Sequence, residues 1–209
     1  MKFAIIGSGN VGGSIARAVT AEGHDAVVTG SDEGSLAALA EEVGVGTTTS
    51  NVEATTDADI VVFAVPFGAL ESAAEEVADE LDGKIVIDAT NPLAEDLSGL
   101  AIEGISAAEM VQRTAPGARV VKAFNTVFAT NQAVGSVEDV QLDGFVAGDD
   151  ADAKRTVRDL LAAIGFRPID VGGLTAARYL EGMAYLNIAL NARNDWSWRS
   201  GWKLVGPTS

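Results

Sequence analysis

With 209 residues the chain is long enough to bury a sizeable core, and its 47% hydrophobic and 21% charged residues exclude a disordered polymer. Its 30 acidic against 14 basic residues give a net charge of −16, which argues against nucleic acid as a partner because phosphates would be repelled. Zero cysteines exclude disulfides, thiol catalysis and thiolate-held metal, and no apolar run approaches the roughly 20 residues that span a bilayer.

The first stretch organises the rest. Lys2-Phe3-Ala4-Ile5-Ile6 is an apolar β-type run, and Gly7-Ser8-Gly9-Asn10-Val11-Gly12 is a glycine loop that opens a helix through Val19. In this pattern Gly7 serves the tight turn, Gly9 lets backbone approach a pyrophosphate, and Gly12 lets helix pack on strand. The free N–H groups and the positive dipole end of the helix beginning near Asn10 would face the anion. An acidic residue, Asp32, lies 20 positions beyond Gly12, as dinucleotide-binding units require. The chain begins in this strand with no secretory leader pattern, so a cytoplasmic location is expected.

Downstream, Asp25–Thr29 reads as a second strand, Ser35–Val43 as a short helix and Val45–Thr47 as a third strand. The near-continuous apolar run Asp59–Val65 has the signature of a parallel strand covered on both faces, and Phe67–Leu81 reads as a helix behind Pro66. Lys84–Asp88 and Arg119–Ala123 are further buried strands, separated by a polar segment containing a helix over Ser106–Arg113. Val140–Ala147 reads as a strand, Asp150–Ile164 as a helix, Arg167–Val171 as a strand and Leu174–Asn194 as a long helix. The alternation predicts an α/β fold: a Rossmann-type, doubly wound parallel sheet with right-handed crossovers. A smaller C-terminal α/β lobe over 125–209, ending in the long helix, is expected to pack on a dinucleotide-binding domain over 1–124.

Ligands of such sheets bind beyond the carboxyl ends of the strands. Three more loops lie there: Ala64-Val65-Pro66-Phe67, Thr90-Asn91-Pro92-Leu93 and Phe124-Asn125-Thr126-Val127. Asn91, Asn125 and Thr126 offer hydrogen bonds to a carboxamide, and Pro66 and Phe67 offer flat apolar surface. Asn91-Pro92 also reads as a plain turn, and Asn125 as a helix cap. The single histidine, His24, falls at the opposite edge, and no Ser-His-Asp set, metal-ligand cluster or obvious lysine base accompanies the site. Such a site suits hydride transfer between two bound rings, in which the protein positions and the rings react.

Four segments carry a family resemblance: Ile5–Gly12, Asp88-Ala89-Thr90-Asn91-Pro92-Leu93, Val121-Lys122-Ala123-Phe124-Asn125-Thr126, and Gly201-Trp202-Lys203-Leu204. Together the chain resembles the NADPH-dependent coenzyme F420 reductases, or F420H2:NADP oxidoreductases. The reductase domain of certain transmembrane metalloreductases, which pairs NADPH with FAD, looks related. The resemblance implies a Rossmann domain with a small lobe, a homodimer, and hydride transfer between nicotinamide C4 and deazaflavin C5. It implies that Ser8, Gly9, Asn10 and Val11 hold the pyrophosphate, and that Ala64, Val65 and Pro66 line the path from adenosine to nicotinamide. Asn91, Ala123 and Asn125 complete the cofactor-binding candidates, with Asn125 as the ring-positioning residue where some relatives carry histidine.

The chain departs from that pattern at Thr29-Gly30-Ser31-Asp32-Glu33, where relatives read Gly-Ser-Arg and the arginine meets the 2′-phosphate of NADP. Here Ser31 or Asp32 takes its place. A carboxylate there hydrogen-bonds the 2′-hydroxyl of NAD, whereas hydroxyls accommodate a phosphate more weakly than a bidentate arginine. NADP follows from the resemblance and NAD from the local chemistry, with the balance slightly toward NADP. The three tryptophans of Trp196-Ser197-Trp198-Arg199-Ser200-Gly201-Trp202 read as an aromatic anchor for the tail, or as a wall for the second ring. Three readings result. The first is an oxidoreductase joining a nicotinamide dinucleotide to coenzyme F420 or a flavin. The second is a reductase of a small imine or a hydroxy or oxo acid, which needs an acid–base group in the cleft. The third is a non-catalytic NAD(P)-binding sensor.

Overall fold

The computed structural model describes residues 1–206; the last three residues of the lobe expected over 125–209 lie outside them. The first half alternates strand and helix: β1 (Lys2–Ile6), α1 (Asn10–Ala21), β2 (Asp25–Thr29), α2 (Glu33–Val43), β3 (Gly46–Thr48), α3 (Asn51–Thr56), β4 (Ile60–Phe63) and α4 (Phe67–Glu76). β5 (Ile85–Asp88), α5 (Ala107–Thr114) and β6 (Arg119–Lys122) follow. The remainder comprises α6 (Ala129–Gln132), β7 (Ser136–Val137), β8 (Val140–Gln141), β9 (Asp143–Gly148), α7 (Ala151–Ile164), β10 (Arg167–Asp170) and α8 (Ala177–Asn194).

Strands β3, β2, β1, β4, β5 and β6 lie in that order and run parallel, so the strand order reverses between β1 and β4. The crevice at that switch point is where a doubly wound sheet takes its ligand. β9 then joins the edge of β6 antiparallel, pairing Lys122 with Ala147, and β10 adds parallel to β9. The sheet therefore continues into the C-terminal residues as one surface of eight strands. Alternate residues of the central strands face two separate cores. Phe3, Ile5, Val62 and Ile87 pack toward α1 and α7, and Ala4, Ile6, Val61 and Phe63 toward α4, α5 and α8.

Several boundaries differ from the sequence reading for local reasons. The helix expected over Phe67–Leu81 is α4 plus a 3₁₀ turn at Ala78–Leu81, with Val77 leaving helical geometry at φ −113°. The strand expected over Val140–Ala147 is two elements, because Glu138 and Asp139 both adopt positive φ and turn a short β7–β8 hairpin. The long C-terminal helix starts at Ala177, after a 3₁₀ turn at Leu174–Ala176. α3 has no counterpart in the sequence reading, although Ser50 caps it by accepting from the Glu53 N–H, a Ser-x-x-Glu signature. α5 carries a complete capping box between Ser106 and Glu109. Arg178 reaches from α8 to pair with Glu109, and holds that carboxyl at about 2, well below its ordinary 4.5.

The carboxyl ends of β5 and β6 are fastened by a buried cluster. Lys122 is fully buried, and its Nζ donates to Asp88 Oδ2 at 2.8 Å, to the Thr90 carbonyl at 2.6 Å and to Glu181 Oε1 at 2.7 Å. Glu181 also accepts the Ala107 N–H, which ties the start of α5 to α8. Burial pushes the Glu181 carboxyl upward, against the pull of the Lys122 charge. Removing one member of such a cluster strands the others without compensation. Lys122→Met is expected to cost about 3–5 kcal/mol in urea denaturation; a loss below about 1 kcal/mol would show that the cluster does not hold these strands.

Candidate dinucleotide-binding site

The glycine loop leaves β1 through Gly7 at φ +119°, where an added Cβ would sit 2.4 Å from the Ala64 carbonyl oxygen. A Cβ on Gly12 would sit 1.8 Å from the Gly7 oxygen, so α1 is pressed against the loop it follows. Gly9 is different. Its backbone has ordinary extended geometry (φ −73°), and a Cβ there would meet nothing within 4 Å. The space over Gly9 is open, and no side chain caps the first turn of α1. Bare N–H groups beside a glycine that faces open space fit a pyrophosphate.

A cleft of about 780 Å³ runs from this loop between the ends of β2 and β4. Gly7, Ser8, Gly9, Ser31, Ala64, Val65 and Pro66 line it, as the sequence reading expected. Sequence reasoning missed Thr49, Asn51, Ser72 and Glu76, which line its far wall. The buried Thr29 hydroxyl donates to Asn51 Oδ1 at 2.5 Å, and Asn51 Nδ2 donates to Glu76 Oε2 at 2.7 Å. Asp32 is outside this lining. It caps α2 instead, accepting from the Gly34 N–H at 3.0 Å and the Ser35 hydroxyl at 2.7 Å, and both bonds hold its carboxyl below the ordinary range. Ser31 is thus the residue of the pair that faces the cleft. Among the described residues no lysine or arginine lines it, so a 2′-phosphate would meet hydroxyl and amide donors.

On the other side of the loop is a smaller cleft of about 130 Å³. Val11, Asn91, Asn125, Thr126 and Phe128 line it, with Ala184, Asn187 and Ile188 from α8. Asn91 Nδ2 donates to the Asn125 carbonyl at 3.0 Å, and Asn125 Nδ2 donates back to Asn91 Oδ1 at 3.0 Å. Lys122 supports this bridge from below, because it grips the Thr90 carbonyl one residue before Asn91. Phe124, buried and at φ +64°, turns the chain from β6 toward Asn125; such strain in a bulky residue persists only where packing enforces it.

Of the remaining predicted residues, Asn10 is exposed at the start of α1, Gly12 is buried against Gly7, and Ala123 is fully buried behind the cleft. His24 packs beside Phe3, with ring centroids 5.5 Å apart, at the opposite edge of the sheet. Trp202 packs into the second core and acts as an anchor, whereas Trp196 and Trp198 are exposed. Trp198 meets the Phe128 ring edge-on at 5.6 Å, which places it near the small cleft. The tail is stapled by Ser200, which bonds Asn187 and Asn191 of α8 at 2.7 Å each.

The strand order, the glycine loop and the paired clefts define a Rossmann-type dinucleotide-binding protein. Residues 2–92 match the family model described as NADP oxidoreductase, coenzyme F420-dependent. The chain is 34% identical to the F420-dependent NADP reductase of Methanothermobacter thermautotrophicus, over 93% of this chain and 90% of that one. It is 32% identical to Metalloreductase STEAP3 of Rattus norvegicus over 86% of this chain, but spans only 36% of that protein. A crystal structure from Arthrobacter sp. FB24, provisionally assigned as an F420-dependent NADP reductase, superposes with a TM-score of 0.87 at 28% identity, covering 98% of this chain and 100% of that one. The chain belongs to the family of F420-dependent NADP reductases.

The two glycines separate binding from folding. Gly9→Val is expected to leave the melting temperature within about 2 °C, consistent with the usual ±0.5 kcal/mol of surface changes, while abolishing dinucleotide binding by calorimetry. Gly12→Val is expected to lower stability by several kcal/mol, since its Cβ collides with backbone. Equal loss of stability in both would sink the assignment.

Proposed function

We propose that the protein transfers a hydride between the nicotinamide of NADP and a deazaflavin of the coenzyme F420 type. One observation carries this beyond family membership: the small cleft is lined entirely by neutral side chains. Reduction of an imine or an oxo acid needs a proton donor at the heteroatom bonded to the reacting carbon, whereas a deazaflavin takes its proton at N1, away from the C5 that receives the hydride. The titratable groups nearest in sequence to Asn91 and Asn125, Asp88 and Lys122, are committed to each other and to Glu181. Solved pyrroline and imine reductases resemble the chain at 21% identity or less, which speaks to fold alone.

In this reading the dinucleotide and the deazaflavin supply the redox chemistry, and the chain binds and orients them. Ser8, Gly9, Asn10 and Val11 receive the pyrophosphate on the uncapped turn of α1. Ala64, Val65 and Pro66 line the path along β4, and Ser31 and Asn51 offer donors to the 2′-phosphate. Asn91 and Asn125 position the reacting ring, and Phe128 with Trp198 forms an apolar lip that limits water. Residues 1–124 carry most of the dinucleotide, and the described residues from 125 onward help complete the second cleft. The absence of cysteine from the sequence accords with a reducing, cytoplasmic setting.

The test mixes purified protein with NADPH and oxidised coenzyme F420 and follows the deazaflavin absorbance, with NADH run beside it. Loss of absorbance on a catalytic timescale with NADPH is the expected outcome. Tight dinucleotide binding with no turnover would overturn the deazaflavin reading.

We also infer a homodimer formed through α8. Tyr179, Leu186 and Leu190 leave an apolar stripe exposed along this helix, next to Trp196 and Trp198. Leu186→Glu is expected to shift the protein toward monomer in sedimentation at micromolar concentration; an unchanged mass would place the interface elsewhere.

A further inference from the structure

The amide bridge over the small cleft has a fixed polarity. The Asn125 backbone carbonyl can only accept, so Asn91 must turn its NH₂ toward it. That leaves Asn91 Oδ1 facing Asn125, which must therefore present its own NH₂ in return. The orientation of both amides follows from one carbonyl. Asn125 Oδ1 is then the member left over. It is buried, and no donor among the described residues reaches it. Thr20, Gln132 and Trp202 also hold buried unpartnered atoms, but among these Asn125 is the one that lines the small cleft. The residue is 5% exposed and is held by the strained turn at Phe124, so relaxing toward water would break the Asn91 bridge.

A buried acceptor fixed this way is costly unless a ligand supplies the donor. We propose that Asn125 Oδ1 receives an N–H from the carboxamide of the bound nicotinamide, so that the site selects pyridine dinucleotides by that group. Val11, the last of the residues that receive the pyrophosphate, lines the same cleft, so a ligand leaving the loop enters where Asn125 waits. The carboxamide is the N–H donor that every nicotinamide dinucleotide carries, in either redox state. Val11, Phe128, Ala184 and Ile188 give apolar walls, and of the other polar lining residues Asn187 is committed to Ser200 and Asn191, which leaves the Thr126 hydroxyl beside Asn125. This inference rests on the dinucleotide reading of the glycine loop.

The test measures equilibrium binding by calorimetry rather than turnover. Three oxidised ligands are compared: NADP, its thionicotinamide analogue, which keeps the NH₂, and its 3-acetylpyridine analogue, which replaces NH₂ with methyl. Wild-type protein is expected to bind the first two within threefold and the third at least tenfold more weakly, a difference of about 1.4 kcal/mol. In Asn125→Ala, checked for an unchanged fold by thermal melting, the gap is expected to shrink below threefold. The wild-type comparison stands on its own if that variant fails to fold. Equal binding of all three to wild type overturns the inference alone. So does a full gap surviving in Asn125→Ala, or a variant that loses coenzyme F420 binding while keeping the gap; the last outcome assigns Asn125 to the second ring. If none of the three binds, the inference falls together with the dinucleotide reading beneath it.

Discussion

The ion cluster at Lys122 sets the terms for the carboxyl edge of the sheet. A lysine with no exposure, gripped by two carboxylates and a carbonyl, gives four separate segments one common point. Through Asp88 it holds β5, through Thr90 the loop that presents Asn91, and through Glu181 both α8 and the start of α5. Ion pairs of this kind contribute little net stability against an apolar alternative, but they punish misplacement heavily. The loops that form the small cleft are therefore fixed in register with one another. Position, more than stability, is what this charge provides.

The reversal of β9 has a related effect. Had the chain continued the parallel order, the segment after β6 would have needed a crossover, usually a helix, packed on a face of the sheet. The antiparallel return instead keeps β9 and β10 on the side of β6 away from the crevice, and leaves α8 free to lie against the Asn125 loop. The tail then folds back onto α8 and the α6 turn, where Asn131 and Thr130 bond the carbonyls of Arg199 and Trp198. The second cleft is thus built from segments far apart in sequence.

That distance explains what the sequence disclosed. The glycine loop was legible because its spacing is local: Gly12 presses on the Gly7 carbonyl within the loop, and Gly9 leaves open space over the first turn of α1. The parallel core was legible because strands covered on both faces read as unbroken apolar runs. Asn51 and Glu76 were not, since they meet only when α3 and α4 pack side by side. Lys122 stands in a motif with no legible role, because a buried lysine in a strand makes sense only once Asp88 and Glu181 are placed beside it. Asp32 reads in sequence as a ribose ligand, and only its bonds to the Gly34 N–H and the Ser35 hydroxyl reveal it as the cap of α2. The hairpin at Glu138 and Asp139 lacked the Asn-Gly spelling that usually announces positive φ.

The lining of the larger cleft also bears on how its ligand arrives. A dinucleotide phosphate is an anion, and here it approaches a molecule of net charge −16 through an opening lined by hydroxyls, one amide, apolar side chains and one glutamate. Most sites for such ligands draw them in with lysine and arginine, and added salt slows the encounter by screening that attraction. In this molecule the long-range force has the opposite sign. Counter-ions that shorten the Debye length from about 30 Å at 0.01 M to about 3 Å at 1 M remove a barrier instead of a lure. Ionic strength therefore acts on capture by easing a repulsion, the reverse of its effect on a basic site.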